Sequence, residues 1–157
     1  MKKMVSVLIV IVLAALVVSA PAMAAIEVEG DVYAGVYDKY LWRGFDLSGS
    51  EPVAQGGVDL TSGKYTLSYW TNIQLSSDSG EGYKSGEATE NDLIIDYSRD
   101  ITDLVSISVG NIYYMLEGLD DTNELYLTVG LSTILEPSLT VYYDWDEAQE
   151  NGLYYTA

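Results

Sequence analysis

The chain has 157 residues, 24 Asp+Glu against 7 Lys+Arg, and neither His nor Cys, giving a formal charge of −17. Those absences exclude Ser–His–Asp and Cys–His catalysis and ordinary zinc sites, which need nitrogen or sulfur ligands. The acidic balance argues against nucleic acid as a partner, and 48% hydrophobic residues with 14 Tyr are too many for a disordered acidic chain.

The N-terminus reads as an address. Lys2 and Lys3 precede an apolar run from Met4 to Val18, broken only by Ser6, and Ala22-Met23-Ala24 follows with small residues flanking a cut. This is the layout of a cleaved signal peptide over residues 1–24. The run is short of the ~20 residues a spanning helix needs. Residues 25–157 then form one exported β-domain, and losing two lysines takes its formal charge to −19. An exported chain without cysteines has no disulfides to hold it. Its stability must come from a closed sheet or from lipid.

Past Ala25 the apolar residues recur at every second position, the signal of half-buried strands. From Glu27 to Arg43 one face carries Val28, Val32, Ala34 and Val36, and the other Glu29, Asp31, Tyr33 and Arg43. Further strands are expected over 53–60, 64–75, 92–98, 105–110, 124–132 and 138–145, with an eighth starting at Leu153. Thr61-Ser62-Gly63, 99–103 and 134–137 read as short connections; 44–51, 76–89, 116–123 and 146–151 read as longer ones. An antiparallel up-and-down meander with long loops gathered at one end is the pattern of a transmembrane β-barrel of the bacterial outer membrane. Tyr40, Trp42, Phe45, Tyr143 and Trp145 stand at the loop ends of their strands, where rings with a polar tip suit a membrane–water interface.

The polar face offers Glu29, Asp31, Arg43, Gln55, Asp59 and Asp96 as lumen candidates. Charges in a narrow lumen must pair, and Arg43 with Asp59 is the expected pair because their strands are neighbours. Fifteen of the 24 acids, among them Glu90, Asp92, Glu124 and Asp144, fall in the long loops and their margins. That places an acidic field at the outer rim, which draws cations and repels anions. Asp120, Asp121 and Glu124 are candidate ligands for a divalent cation, which prefers oxygen, although their spacing is not that of an EF-hand. No catalytic motif, phosphate loop or dinucleotide fingerprint appears, so neither enzymatic activity nor a cofactor is expected.

Tyr40-Leu41-Trp42-Arg43-Gly44-Phe45, the block from Pro52 to Asp59, Ser62-Gly63-Lys64-Tyr65 and Tyr69-Trp70-Thr71-Asn72 resemble a bacterial family known as Gcw_chp. Glu124-Leu125-Tyr126 and Tyr142-Tyr143-Asp144 resemble its later blocks. The resemblance implies an exported outer-membrane-type barrel and carries over no catalytic or binding residue. Family members are generally longer. Seven strands and a stub do not close an even-numbered barrel, so the chain is expected to continue past Ala157.

The function expected is therefore that of an outer-membrane barrel: a small-solute pore favouring cations, or a structural barrel. Its partners would be outer-membrane lipid and the export and barrel-assembly machinery. Two alternatives are a soluble barrel that binds an apolar ligand inside and a surface adhesin or receptor using the acidic loops.

Overall fold

Period-two alternation makes strands, and strands dominate the molecule. A computed structural model describes residues 26–77, 82–146 and 152–157; the signal-peptide expectation lies outside the described residues. Among those, the strands in order are β1 (Glu29–Tyr37), β2 (Leu41–Trp42), β3 (Phe45–Asp46), β4 (Val53–Ser62), β5 (Tyr65–Gln74), β6 (Ala88–Asp100), β7 (Val105–Leu116), β8 (Thr122–Leu131), β9 (Ser138–Asp144) and β10 (Leu153–Thr156). Eight build one antiparallel sheet in the order β1-β4-β5-β6-β7-β8-β9-β10, while β2 and β3 pair as a small separate hairpin. The meander is as expected. The closed barrel is not formed: among the described residues β1 bonds only to β4 and β10 only to β9, so the sheet is open at both edges.

The first strand ends earlier than its alternation suggests. It stops at Tyr37, and the chain turns back between β2 and β3 through Arg43 and Gly44, both at positive φ (51° and 88°). Arg43 thus sits at a turn tip rather than on a wall. The strand expected over 92–98 is longer than its apolar residues reveal: it is β6, Ala88–Asp100, because polar Thr89, Glu90 and Asn91 keep the strand geometry. Connections 63–64, 101–104 and 132–137 lie at one end; 38–52, 75–87, 117–121 and 145–152 lie at the other. Three of the second group are long. The fourth, 117–121, is as tight as the turns opposite.

Register assigns the two faces. One face carries Val32, Val58, Tyr69, Leu93 and Tyr113 across β1, β4, β5, β6 and β7. The other carries Gln55, Asn72 and Glu90 across β4, β5 and β6. Burial follows the faces in reverse of a soluble protein. Val32, Leu67, Ile95, Leu127 and Val141 are exposed, whereas Asn72, Gln74, Glu90, Asp92, Glu124 and Thr140 are buried.

The sheet curls around its polar face. Laid flat, the seven spacings from β1 to β10 would span roughly 33 Å. Yet Arg43, in the hairpin that follows β1, puts its guanidinium 4.2 Å from the ring of Tyr154 on β10. Nearby in the same loop, Tyr40 packs on Trp70 of β5 with ring centroids 5.6 Å apart. The loop 38–52 therefore fills a polar, concave interior, and the apolar side chains cover the convex exterior.

Candidate functional site

The interior site is organised by that inturned loop. Asp46 ties it together, accepting from the Ser48 amide at 3.0 Å and the Ser50 hydroxyl at 2.8 Å. The Ser50 hydroxyl first, and the Ser48 amide with it, hold the Asp46 carboxyl down at a pKa of about 2. Ser48 is fully buried; its hydroxyl accepts from the Tyr40 amide at 2.9 Å, and its carbonyl accepts from the Gln74 side chain at 3.3 Å. These bonds fix the loop against β5.

At its tip Arg43 makes a bidentate pair with Glu124 on β8, at 2.7 and 2.6 Å. The guanidinium also lies over the rings of Trp42, Tyr142 and Tyr154, at 4.2, 4.6 and 4.2 Å. Burial works against its charge, but the hydrogen-bonded Glu124 carboxylate outweighs it and raises the Arg43 pKa. Tyr114 donates to the same carboxylate at 2.8 Å and meets Trp42 edge-on. A guanidinium held by a fork of oxygens and sandwiched by rings combines the two strongest ways of binding that group.

Next to this latch is a cavity of about 350 Å³, bounded by Tyr40, Trp42, Glu90, Tyr114, Glu124 and Asp144 among others. Tyr40 reaches Glu90 from the loop side; burial, then the Glu90 charge, push its phenol upward. Toward the tight-turn end, Asp96 accepts from the hydroxyls of Ser98, Ser108 and Tyr126. Gln55 donates to Asn72 at 3.0 Å.

The expected lumen residues are thus only partly brought together. Arg43, Gln55, Asp59 and Asp96 share the concave side, but Arg43 pairs with Glu124 instead of Asp59. The turn tip carries it across to β8, and Asp59 instead faces Asp31 and Ser68 in register. Glu29 and Asp31 are exposed on the edge strand β1. Among the aromatics, Phe45, Tyr143 and Trp145 are exposed. Tyr40 and Trp42 turn to the polar interior, because the strand that would have placed them on the apolar face ends at Tyr37. Among the described residues Asp120, Asp121 and Glu124 are not gathered into a group that could hold a metal ion. Asp121 accepts from Tyr113 and the Leu116 amide, closing the β7–β8 turn, and Glu124 holds Arg43. Glu90, Asp92, Glu124 and Asp144, counted with the loop margins, are strand residues. Their phase with Ile94, Tyr126 and Tyr142 on the same strands is the signal that marks them as interior.

Among the described residues no helix is long and apolar enough to cross a membrane, a fact that says nothing of strands. Residues 18–151 match the family model Gcw_chp, described as a bacterial protein of unknown function. No curated protein and no solved structure matches the chain.

Proposed function

The chain belongs to the Gcw_chp family, and from that premise we propose that it is an exported outer-membrane β-barrel protein whose acidic lumen passes small cationic solutes. The observation that carries this reading is the sorting of side chains by face. Twelve aliphatic side chains, from Val32 and Val36 on β1 to Leu139 and Val141 on β9, are 38–78% exposed on the convex side. A water-soluble monomer rarely leaves so large an apolar surface bare. Lipid would cover it, a gain on the order of 10 kcal/mol at roughly 1 kcal/mol for each half-exposed side chain. A soluble barrel with an apolar ligand inside would need the opposite arrangement, apolar residues on the concave face. In hydrocarbon every backbone group must be paired, so the reading requires that the β1 and β10 edges be paired in the membrane.

Lumen chemistry supports the choice of ion. Glu90, Asp92 and Glu124 are buried there, and Arg43 pairs with Glu124, an acidic balance that attracts cations. A second reading, a structural barrel without conductance, is favoured by the inturned loop that occupies the lumen. Planar-bilayer recording separates the two. The pore reading predicts cation-selective current, increased at least severalfold when Arg43→Ala frees the loop tip. Anion-selective current contradicts the charge argument. Silence from both the wild type and the Arg43→Ala variant assigns the structural role.

A further inference from the structure

The apolar band of the convex face does not stop where the strands stop. At the end of the sheet with the short connections, Val105 of β7 and Leu131 of β8 are register partners and close the aliphatic columns of those strands. Beyond them the turns go on presenting aliphatic side chains. Leu104 is 59% exposed, Leu135 85% and Ile134 100%. Turns that face water favour Gly, Pro, Asn, Asp and Ser, and a fully bare isoleucine beside a nearly bare leucine is the reverse of that choice.

Both turns are firmly bonded, so they hold these side chains out in a fixed shape. Thr102 Oγ1 accepts from the Leu104 and Val105 amides at 3.2 and 3.0 Å. The Leu131 amide donates to the Pro137 carbonyl at 2.9 Å, and the Glu136 amide to the Thr133 carbonyl at 3.0 Å. The Ser132 amide donates to the Leu104 carbonyl at 2.9 Å, joining the two turns into one rim.

The neighbouring strands finish differently. The convex columns of β5 and β6 reach Tyr65 and Tyr97, register partners with ring centroids 5.1 Å apart, and Lys64 and Arg99 follow toward the same end. Rings with polar tips followed by cations mark a membrane–water boundary. In that same register row β7 and β8 carry Val109 and Leu127, and aliphatic side chains continue past them into the rim. Strands in a membrane are tilted by about 35–45°, so the boundary meets different strands at different rows. Asp100, Asp103 and Glu136 flank the rim, and such acids repel anionic headgroups.

We propose that the rim made by the turns 101–104 and 132–137 is embedded in a leaflet of zwitterionic lipid through Leu104, Ile134 and Leu135, while the turn 63–64 stays in water. The inference rests on the convex face meeting lipid and goes further, fixing the depth and slant at which the sheet sits.

The test uses the full chain, which has no cysteine of its own, in phosphatidylcholine vesicles. Single variants Ile134→Cys, Leu135→Cys, Leu127→Cys and Lys64→Cys carry an environment-sensitive fluorophore. Quenching by nitroxide-bearing phosphatidylcholine is compared with quenching by aqueous iodide. Lipid quenching at 134 and 135 should exceed that at 64 at least severalfold and approach that at 127. Bare turn positions tolerate substitution; if either variant loses its sheet signal by circular dichroism, Leu104→Cys carries the same comparison. Lipid quenching at 127 with iodide quenching at 134 and 135 overturns this inference and leaves membrane insertion standing. Labels at 134 and 135 reached by neither quencher also overturn it, and place the rim against protein, such as a second copy. Iodide quenching at 127 overturns membrane insertion and this inference with it.

Discussion

Arg43 is the residue on which the interior depends. Its guanidinium reaches from a loop that follows β1 to side chains of β8, β9 and β10, so one side chain ties distant strands of an open sheet. Both partners of the ion pair are shielded, with side-chain exposures of 14% for Arg43 and 6% for Glu124. Breaking a buried pair from one side leaves the other charge stranded, a loss of about 3–5 kcal/mol. Arg43→Ala should therefore lower unfolding stability in urea by about that amount. Arg43→Lys should recover little, since an ammonium forms neither the bidentate fork nor the stacked plane. A loss below about 1 kcal/mol for Arg43→Ala would mean that the latch is not holding the strands. The need for an interior partner was readable from an arginine on the polar face of an acidic chain with only two arginines. The identity of that partner was not, because it depends on where a turn at positive φ points the side chain.

Strand packing on the concave side is governed by glycine and tyrosine. Gly110 of β7 is the register partner of Tyr126 on β8. A Cβ there would lie 2.5 Å from the Tyr126 ring and 2.5 Å from the Ile95 carbonyl oxygen. Tyr126 cannot easily swing away, because its hydroxyl donates to Asp96. Gly57 is covered in the same way by Tyr33 of β1. The glycines let the rings lie flat on the sheet, closing the gap where a wall of large side chains would collide. Gly110→Val should destabilise the protein by about 1–3 kcal/mol through this overpacking, measured by urea unfolding beside Tyr126→Phe. A neutral Gly110→Val would show that the ring does not rest there. At this scale the alternation revealed the strands and their faces. It misplaced the end of β1, since Tyr40 and Trp42 keep the phase of the strand while the backbone has already turned. It also understated β6, whose loop-side end is polar on the concave face through Glu90 and Asp92, and β7, where Ile112 to Leu116 are apolar or aromatic on both faces and so break the alternation.

For the whole molecule, the meander and the sorting of its loops were legible because each strand of the large sheet pairs with the next one of that sheet along the chain, and hairpin order is local information. The curl, the loop tucked inside and the open edges were not, since they depend on contacts between residues as distant as Arg43 and Tyr154. The central claim is that the apolar convex face meets lipid while the concave face meets water. The natural chain has no cysteine, so single cysteines report cleanly. Positions 124 to 129 of β8 alternate, with Leu125, Leu127 and Val129 convex and exposed and Glu124, Tyr126 and Thr128 concave. The most direct test is a spin-label scan along β8 in outer-membrane vesicles, comparing collision with oxygen and with a water-soluble nickel chelate. Labels at Leu125, Leu127 and Val129 should be accessible to oxygen and shielded from nickel, and labels at Tyr126 and Thr128 should show lower oxygen accessibility. Nickel access at the convex positions equal to that of a free aqueous label would contradict the account.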